Sequence, residues 1–311
     1  MNKVLITCPP MLGAMAKLRD EFVVNGLEPI VVAMEQTLAA EELKELLPNV
    51  DGWILGDDPA SEEVLAAGKQ GRLRAVVKWG IGVDNVDFQA AKKFRIPIRN
   101  TPGMFNDEVA DLALGYMIAL ARQTHFIDRE VRAGNWPKPS GISLRGKTLA
   151  LIGMGNIGSA VAERALVCGM NVIGYDPAIN VAPKGVVLKS WPNSLGDADF
   201  LIITASLNET TKRMINKQTI KLMKKGVRIV NVSRGGLITQ ADLVNALQSG
   251  YIHSVAMDVF EDEPPSDAEG LFAHPLSIFG SHNGSNTDDA VLLTSVKSIK
   301  LLRSLLDEGC I

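Results

Sequence analysis

Three ionisable side chains in the second half of the sequence each stand just after an apolar, β-branched run. Arg234 follows VRIVNVS, Glu263 lies shortly after SVAMDVF, and His282 follows SIFGS. The carboxyl ends of parallel strands meet at one crevice, so residues that are distant along the chain can share a site there. We therefore predict that a guanidinium, a carboxylate and an imidazole lie together in this protein.

These residue types suit the reduction of a 2-oxo acid and the reverse oxidation of a 2-hydroxy acid. Arg234 can bind the substrate carboxylate with two hydrogen bonds and polarise the carbonyl. His282 can supply the proton, since an ordinary imidazole titrates near neutral pH, and Glu263 can orient it and stabilise its cationic form. Each residue also has a structural alternative: a surface turn for Arg234, a solvated acidic run for Glu263, and a backbone-bonded imidazole for His282.

A glycine-rich loop predicts a dinucleotide site. The stretch 153–158 reads GMGNIG, follows the apolar run TLALI and opens a helical pattern. In this context Gly153 permits the turn, Gly155 lets the backbone approach a pyrophosphate, and Gly158 lets the helix pack closely on the strand. Asp176 ends the next predicted strand, where a carboxylate accepts the ribose hydroxyls of NAD and would repel a 2′-phosphate. The alternative is an incidental turn followed by a turn-forming Asp-Pro.

The elements that must position these residues alternate between strands and helices. The first set of strands is predicted at 4–7, 29–33, 52–55, 75–77 and 96–98, with helices at 38–47 and 61–67, the second capped by Ser61. A helix at 107–122 precedes a loop at 134–139. Six further strands begin at Thr148, with helices at 157–167 and 240–248, and a helix at 288–308 ends the chain. This order predicts an α/β fold of two doubly wound parallel sheets.

Composition and charge narrow the classes of partner. The 311 residues carry a net charge of −3, which favours neither nucleic acid nor a membrane surface. Cys8, Cys168 and Cys310 have no metal-ligand spacing, and the first two are predicted to be buried thiols. The N-terminus lacks the pattern of a signal peptide and no apolar run would span a bilayer, so we expect a cytoplasmic protein that binds no metal.

The sequence resembles the D-isomer-specific 2-hydroxyacid dehydrogenases, and within them members similar to phosphoglycerate dehydrogenase. The motifs that carry the resemblance are KWGIGVDNVD (78–87), LIGMGNIG (151–158), VNVSRGGLI (230–238), AMDVFEDEP (256–264) and GSHNGSNT (280–287). The resemblance implies a Rossmann NAD-binding domain at 102–283, inserted into a flavodoxin-like substrate domain formed by 1–101 and 284–311. It also implies a homodimer whose interface includes helix 107–122 and the loop around Trp136.

The resemblance further implies roles for individual residues. Arg234, Glu263 and His282 would form the catalytic set, and the backbone amides of the 80–82 loop would hold the substrate carboxylate. The implied substrate-binding residues are Lys78, Gly80, Ile81 and Gly82. The implied NAD-binding residues are Gly153, Gly155, Asn156, Ile157, Gly158, Asp176, Ala205, Ser206, Val232, Ser233 and Asp258, the last beside the nicotinamide.

The substrate is less determined than the reaction. Lys78 stands where phosphoglycerate-type members place a basic residue that meets a phosphate, but a lysine at a strand end could equally extend into solvent. The arginine expected at the end of the preceding strand is replaced by Gly56-Asp57-Asp58, whose acids argue against 3-phosphoglycerate. The glycerate/hydroxypyruvate and glyoxylate types remain open.

Two other functions compete with this dehydrogenase. The first is an NADH-sensing scaffold, similar to a corepressor, which would bind partners without turnover. The second is oxidation of formate or phosphite on the same fold, which Glu263 makes less favourable because such members tend to lack that carboxylate.

Overall fold

The computed structural model describes residues 1–265 and 270–308. The described chain divides into two compact units, residues 1–105 with 285–308, and residues 106–284. Cys310, one of the cysteines considered above, lies outside the described residues. Among those residues, no helix combines the length and the apolar character that crossing a membrane requires.

The first unit is a five-stranded parallel sheet in the order β2-β1-β3-β4-β5. This is the flavodoxin-like order, with helices on the connections between strands. Its strands are β1 (Asn2–Thr7), β2 (Leu27–Val31), β3 (Gly52–Leu55), β4 (Ala75–Lys78) and β5 (Ile98–Asn100). Its helices are α1 (Pro9–Gly13), α2 (Met15–Val24), α3 (Ala40–Leu46), α4 (Glu62–Gln70), α5 (Phe88–Phe94) and the late helix α11 (Asp288–Glu308).

Helix α11 belongs to the first unit because its inner face packs on the middle of this sheet. The Trp79 indole N–H donates to Ser295 Oγ at 3.1 Å, although the two residues are 216 positions apart. A Cβ on Gly52 would lie 2.9 Å from the Leu302 side chain, so the helix approaches the strand backbone closely. Burial of such apolar contacts stabilises the return of the chain to its first sheet.

The second unit is a seven-stranded parallel sheet in the order β12-β11-β10-β9-β6-β7-β8. The direction of strand addition reverses between β6 and β9, and such a switch point is where α/β sheets bind ligands. Its strands are β6 (Thr148–Ile152), β7 (Asn171–Tyr175), β8 (Val186–Leu188), β9 (Phe200–Ile203), β10 (Val227–Asn231), β11 (Ile252–Met257) and β12 (Ile278–Phe279). Its helices are α6 (Asn106–Arg122), α7 (Thr124–Arg132), α8 (Asn156–Val167), α9 (Lys217–Ile220) and α10 (Gln240–Gln248).

The predicted fold class, two doubly wound parallel sheets, is confirmed. The Ser61 cap is confirmed too, since Ser61 Oγ accepts the Val64 amide at 3.5 Å. The predicted strand 96–98 is wrong in its bounds: β5 begins at Ile98, because Pro97 has no N–H to donate to a ladder. The six predicted strands of the second sheet are seven, since the three-residue edge strand β8 gives too short a pattern to recognise.

Helix α7 was not predicted, although its apolar and polar residues alternate with a helical period. None of its residues is buried, so this helix does not contribute to the core. Of the two cysteines that were predicted to be buried, Cys8 is buried and Cys168 is partly exposed, so the second prediction is wrong. Burial raises the pKa of the Cys8 thiol to about 12, which keeps it in the unreactive protonated form.

Candidate active site

His282 and Glu263 form a direct pair in the second unit. His282 Nδ1 lies 2.6 Å from Glu263 Oε2, with side-chain exposures of 23% and 22%. The other carboxylate oxygen, Oε1, accepts the Phe260 amide at 2.9 Å, which fixes the orientation of the carboxylate. An ionised carboxylate accepts a hydrogen bond from Nδ1–H, so the imidazole can exchange a proton through Nε2. This arrangement is able to carry out acid–base chemistry.

The loop that bears His282 is held to the end of strand β11. The amides of Gly280 and His282 donate to the carbonyls of Met257 and Asp258, at 2.8 and 2.7 Å. The Gly284 amide donates to Asp258 Oδ2 at 2.8 Å. His282 adopts a left-handed conformation with φ of 54°, which is uncommon for a residue with a side chain. The backbone of this loop is therefore fixed by hydrogen bonds on either side of the imidazole.

The loop that bears Arg234 is fixed by a buried amide that sequence analysis missed. Asn231, the fully buried last residue of β10, donates through Nδ2 to the Arg234 carbonyl at 2.9 Å. Its Oδ1 accepts the Ser233 amide at 3.1 Å. The signal in the sequence was an asparagine at the end of a mainly apolar strand, where a buried amide must find partners.

Strands β10 and β11 bring the Arg234 loop against the turn that carries Glu263. A Cβ on Gly235 would overlap the backbone of Phe260 and Glu261, so the two segments are in contact and only glycine fits between them. Arg234 Nη1 donates to the Ser233 carbonyl at 2.8 Å. The structure therefore brings the segments of Arg234, Glu263 and His282 to adjacent strand ends of one sheet.

Asp258 joins this region to helix α6. It is 1% exposed and accepts hydrogen bonds from the Tyr116 hydroxyl, at 3.3 Å, and from the Gly284 amide. Burial, together with the charge of Asp258, raises the pKa of Tyr116. A Cβ on Gly280 would overlap both Asp258 Oδ1 and the Tyr116 oxygen. Tyr116 was not among the predicted site residues, because a tyrosine within an apolar helix looks like an ordinary core residue.

The glycine loop after β6 has the shape that a pyrophosphate requires. Gly153 has φ of 89°, and a Cβ on Gly158 would overlap the Gly153 carbonyl, so helix α8 packs closely on the strand. A Cβ on Gly155 would meet nothing within 4 Å, which leaves room for a ligand beside the backbone. Helix α8 begins at Asn156, so its first amides and its dipole favour an anion at this position.

Asp176 lies beside this loop. Its Oδ2 accepts the Met154 amide at 2.8 Å and its Oδ1 accepts the Ala178 amide at 2.9 Å. A carboxylate has about four acceptor sites, so both oxygens can still accept ribose hydroxyls. Of the other predicted cofactor residues, Ser233 donates from its hydroxyl to the Ala205 carbonyl, and Val232 follows β10 directly. These residues fit NAD, which binds through its phosphates and ribose hydroxyls.

The predicted substrate-binding residues lie in the first unit. Lys78 is 2% exposed, and its ammonium donates to the Gly56 carbonyl at 2.5 Å and to Asp57 Oδ1 at 2.8 Å. The alternative in which Lys78 extends into solvent is therefore wrong. The Gly80 amide donates to Thr101 Oγ1 at 2.9 Å, while Ile81, whose carbonyl accepts Asn100 Nδ2, is 40% exposed.

Known proteins resemble both the sequence and the fold. The family model "D-isomer specific 2-hydroxyacid dehydrogenase, NAD binding domain" matches residues 114–284. A hydroxypyruvate reductase of Thermotoga maritima is 40% identical over 258 residues, which cover 81% of this chain and 84% of that protein. A D-3-phosphoglycerate dehydrogenase of Methanocaldococcus jannaschii is 35% identical, covering 100% of this chain and 59% of the relative. The crystal structure of the TT0316 protein of Thermus thermophilus has a TM-score of 0.88 at 30% identity, covering 98% of this chain and 97% of that one.

The lengths of the relatives differ. The chain spans 41% of a phosphoglycerate dehydrogenase of Arabidopsis thaliana and 59% of the archaeal one, but 84% of the hydroxypyruvate reductase. These matches confirm the predicted cofactor, NAD, and the predicted reaction class, hydride transfer between NAD(H) and a 2-hydroxy acid. They do not favour the scaffold alternative. The chain therefore belongs to the family of D-isomer specific 2-hydroxyacid dehydrogenases.

Proposed function

We propose that this protein interconverts a small 2-oxo acid and the D-2-hydroxy acid, with His282 as the acid–base group. The observation that carries the proposal is the 2.6 Å contact between His282 Nδ1 and Glu263 Oε2. The loop that bears His282 is held by hydrogen bonds to the end of β11. NAD(H), when bound, supplies or accepts the hydride. In reduction His282 donates a proton to the substrate oxygen, and in oxidation it removes that proton.

Arg234 and Glu263 have different roles in this proposal. The Arg234 guanidinium binds the substrate carboxylate and polarises the carbonyl, because it is a fixed positive charge with several donors. Glu263 stabilises the protonated imidazole and keeps its Nδ1 engaged, which leaves Nε2 for the substrate. Both roles depend on the rigid strand ends that carry these side chains.

The amides of the loop after β4 are our candidates for the substrate carboxylate. Ile81 and Gly82 would donate directly, and Gly80, whose φ is 131°, gives the loop its shape. A direct contribution from the Gly80 amide requires exchange of its bond to Thr101. Lys78 lies at the start of this loop, and its ammonium is paired with Asp57. Whether it can bind a substrate anion therefore depends on that pairing.

The cofactor site in our proposal lies at the switch point of the second sheet. The amides of Asn156 and Ile157 at the start of α8 would hold the phosphates, and Asp176 the ribose hydroxyls. Ala205, Ser206, Val232 and Ser233 would line the adenosine and nicotinamide sides, with Asp258 near the nicotinamide. A homodimer and a cytoplasmic location stay predictions.

Replacement of the imidazole tests the function. In His282→Asn, asparagine tolerates the left-handed backbone and can still bond Glu263, but it cannot donate a proton. We expect the wild type to oxidise NADH with at least one acid of a panel of hydroxypyruvate, glyoxylate and phosphohydroxypyruvate, and the variant to lose at least about 100-fold in kcat. NADH fluorescence should show retained cofactor binding. Wild-type turnover of none of these acids, or a variant with wild-type kcat, would contradict the proposal.

A further inference from the structure

We propose that Asp57 and Lys78 form a charge filter that admits monoanionic 2-oxo acids and disfavours those that carry a phosphate. This inference rests on the proposed function, because it concerns which acid the same site accepts. The relevant residues all lie in the first unit, where the turn after β3 meets the end of β4.

The Lys78 ammonium is committed to partners within the protein. Its side chain is 3% exposed, and two of its three protons go to the Gly56 carbonyl and Asp57 Oδ1. The Gly56 carbonyl also accepts Asn85 Nδ2 at 3.1 Å, so the turn and the loop after β4 are held together. A phosphate that sought Lys78 would have to displace a carboxylate from a buried ammonium.

The exposed charge of this pair is the negative one. The Asp57 side chain is 37% exposed, whereas that of Lys78 is almost fully buried. A ligand that arrives from solvent therefore meets the carboxylate first. The positive charge behind it is already compensated at 2.8 Å, so the pair does not attract a second anion.

The pair lies close to the loop that we assign to the substrate carboxylate. Lys78 Nζ is 3.9 Å from the position that a Cβ on Gly80 would occupy. Asp57 Oδ1 lies 2.8 Å from the same ammonium, so a substrate whose carboxylate is held by the 80–82 amides would lie close to the pair. A substrate hydroxyl that reaches Asp57 can donate to its carboxylate, whereas a phosphate dianion in that position is repelled. The favoured substrates are unphosphorylated 2-oxo acids with a hydroxyl, of which hydroxypyruvate is the simplest.

A purely structural role for the pair would have different consequences. If Asp57 only fixed the position of Lys78, its loss would weaken turnover of all 2-oxo acids by a similar factor. A filter predicts a change in the ratio between substrates that differ only by the phosphate. The change should appear mainly in KM, because the phosphate is remote from the reacting carbonyl.

The experiment compares kcat/KM for hydroxypyruvate and phosphohydroxypyruvate at saturating NADH in the wild type and Asp57→Asn. The wild type should prefer hydroxypyruvate, and the variant should move the ratio toward the phosphorylated acid by about tenfold or more, since a like charge has been removed. Asp57→Ala should shift the ratio in the same direction. The control Glu62→Gln removes one negative charge from an exposed ion pair with Lys93 in the same unit, and should leave the ratio unchanged.

Two results would overturn the filter: a wild type that prefers phosphohydroxypyruvate, or variants of Asp57 in which both substrates change by the same factor. Calorimetric titration of glycerate and 3-phosphoglycerate into the NAD-saturated protein provides a readout that needs no turnover. If the wild type turned over neither acid but bound glycerate more tightly, the proposed function would fail and the filter would stand. Equal or tighter binding of 3-phosphoglycerate would refute the filter alone.

Discussion

Replacing Glu263 by glutamine removes one charge from the acid–base pair and one of its two acceptor oxygens. Glutamine has nearly the same shape, and with its oxygen toward His282 Nδ1 it keeps that hydrogen bond but loses the one from the Phe260 amide. The main loss is the electrostatic stabilisation of the protonated imidazole. In the direction of 2-hydroxy acid oxidation this cation forms as the substrate proton is removed, so kcat should fall.

The magnitude follows from the separation and the exposure of the pair. Two unit charges 2.6 Å apart interact by about 6 kcal/mol at an effective dielectric constant of about 20 and by about 2 kcal/mol in bulk water. Both side chains are roughly one-fifth exposed, and the variant keeps a neutral hydrogen bond, so a net loss of about 2–4 kcal/mol is expected. That loss corresponds to a fall in kcat of about 30-fold to 900-fold.

The assay is steady-state oxidation of D-glycerate with NAD across a range of pH, together with NADH binding by fluorescence. Cofactor affinity should be retained, because Glu263 is not among the residues assigned to NAD. Glu261→Gln is the matched control: it removes an equal charge two residues away, from an exposed carboxylate that contacts the Gln240 amide. If Glu263→Gln kept wild-type kcat, or if Glu261→Gln lost as much, the imidazole–carboxylate pair would not be the acid–base centre.

Three further predictions concern the supporting residues. Asn231→Ala should destabilise the protein by about 1–3 kcal/mol in urea unfolding and lower kcat/KM, because the Arg234 carbonyl and the Ser233 amide lose their buried partner. Asp176→Ala should weaken NADH binding by about tenfold or more in a fluorescence titration, and NADPH binding by less, since the carboxylate repels a 2′-phosphate. Burial raises the pKa of Asp58 above the ordinary 3.8, so between the two pKa values the native state binds more protons than the unfolded state. The difference in the free energy of unfolding between the wild type and Asp58→Asn should therefore fall as the pH rises from 3.8 through the raised pKa. A difference that does not change with pH would contradict this.

The sequence was sufficient to predict site residues that lie at the carboxyl ends of strands, because the pattern of each strand is a local signal. Arg234, Glu263 and His282 were predicted from their positions after apolar runs, and the structure places their segments at adjacent strand ends. The glycine loop could be predicted equally well, since the backbone at Gly153 and the close packing at Gly158 admit only glycine. In the strand-end residues and in this loop, a residue type at a given position implies one geometry.

The residues that the sequence did not predict act through contacts between distant segments. Tyr116 reaches Asp258 across 142 positions, and the tyrosine gives no local sign of that partner. The pairing of Lys78 with Asp57 was missed for the same reason: the lysine was judged at its own strand end, while its partner lies in the turn after another strand. Helix α7 is a different case: its amphipathic pattern was present in the sequence, and the prediction overlooked it.

The backbone of His282 shows why these supporting contacts matter for the chemistry. A left-handed conformation at a residue with a side chain costs about 1–2 kcal/mol, so it persists only where neighbouring contacts require it. Here the amide of His282 donates to the Asp258 carbonyl, the Gly284 amide donates to the Asp258 carboxylate, and the space at Gly280 admits no side chain. Because Asp258 is itself held by Tyr116 and by the end of β10, the backbone that carries the imidazole is held by buried groups that take no part in proton transfer. Substitutions at Tyr116 or Asn231 should therefore change kcat even though neither residue needs to touch the substrate.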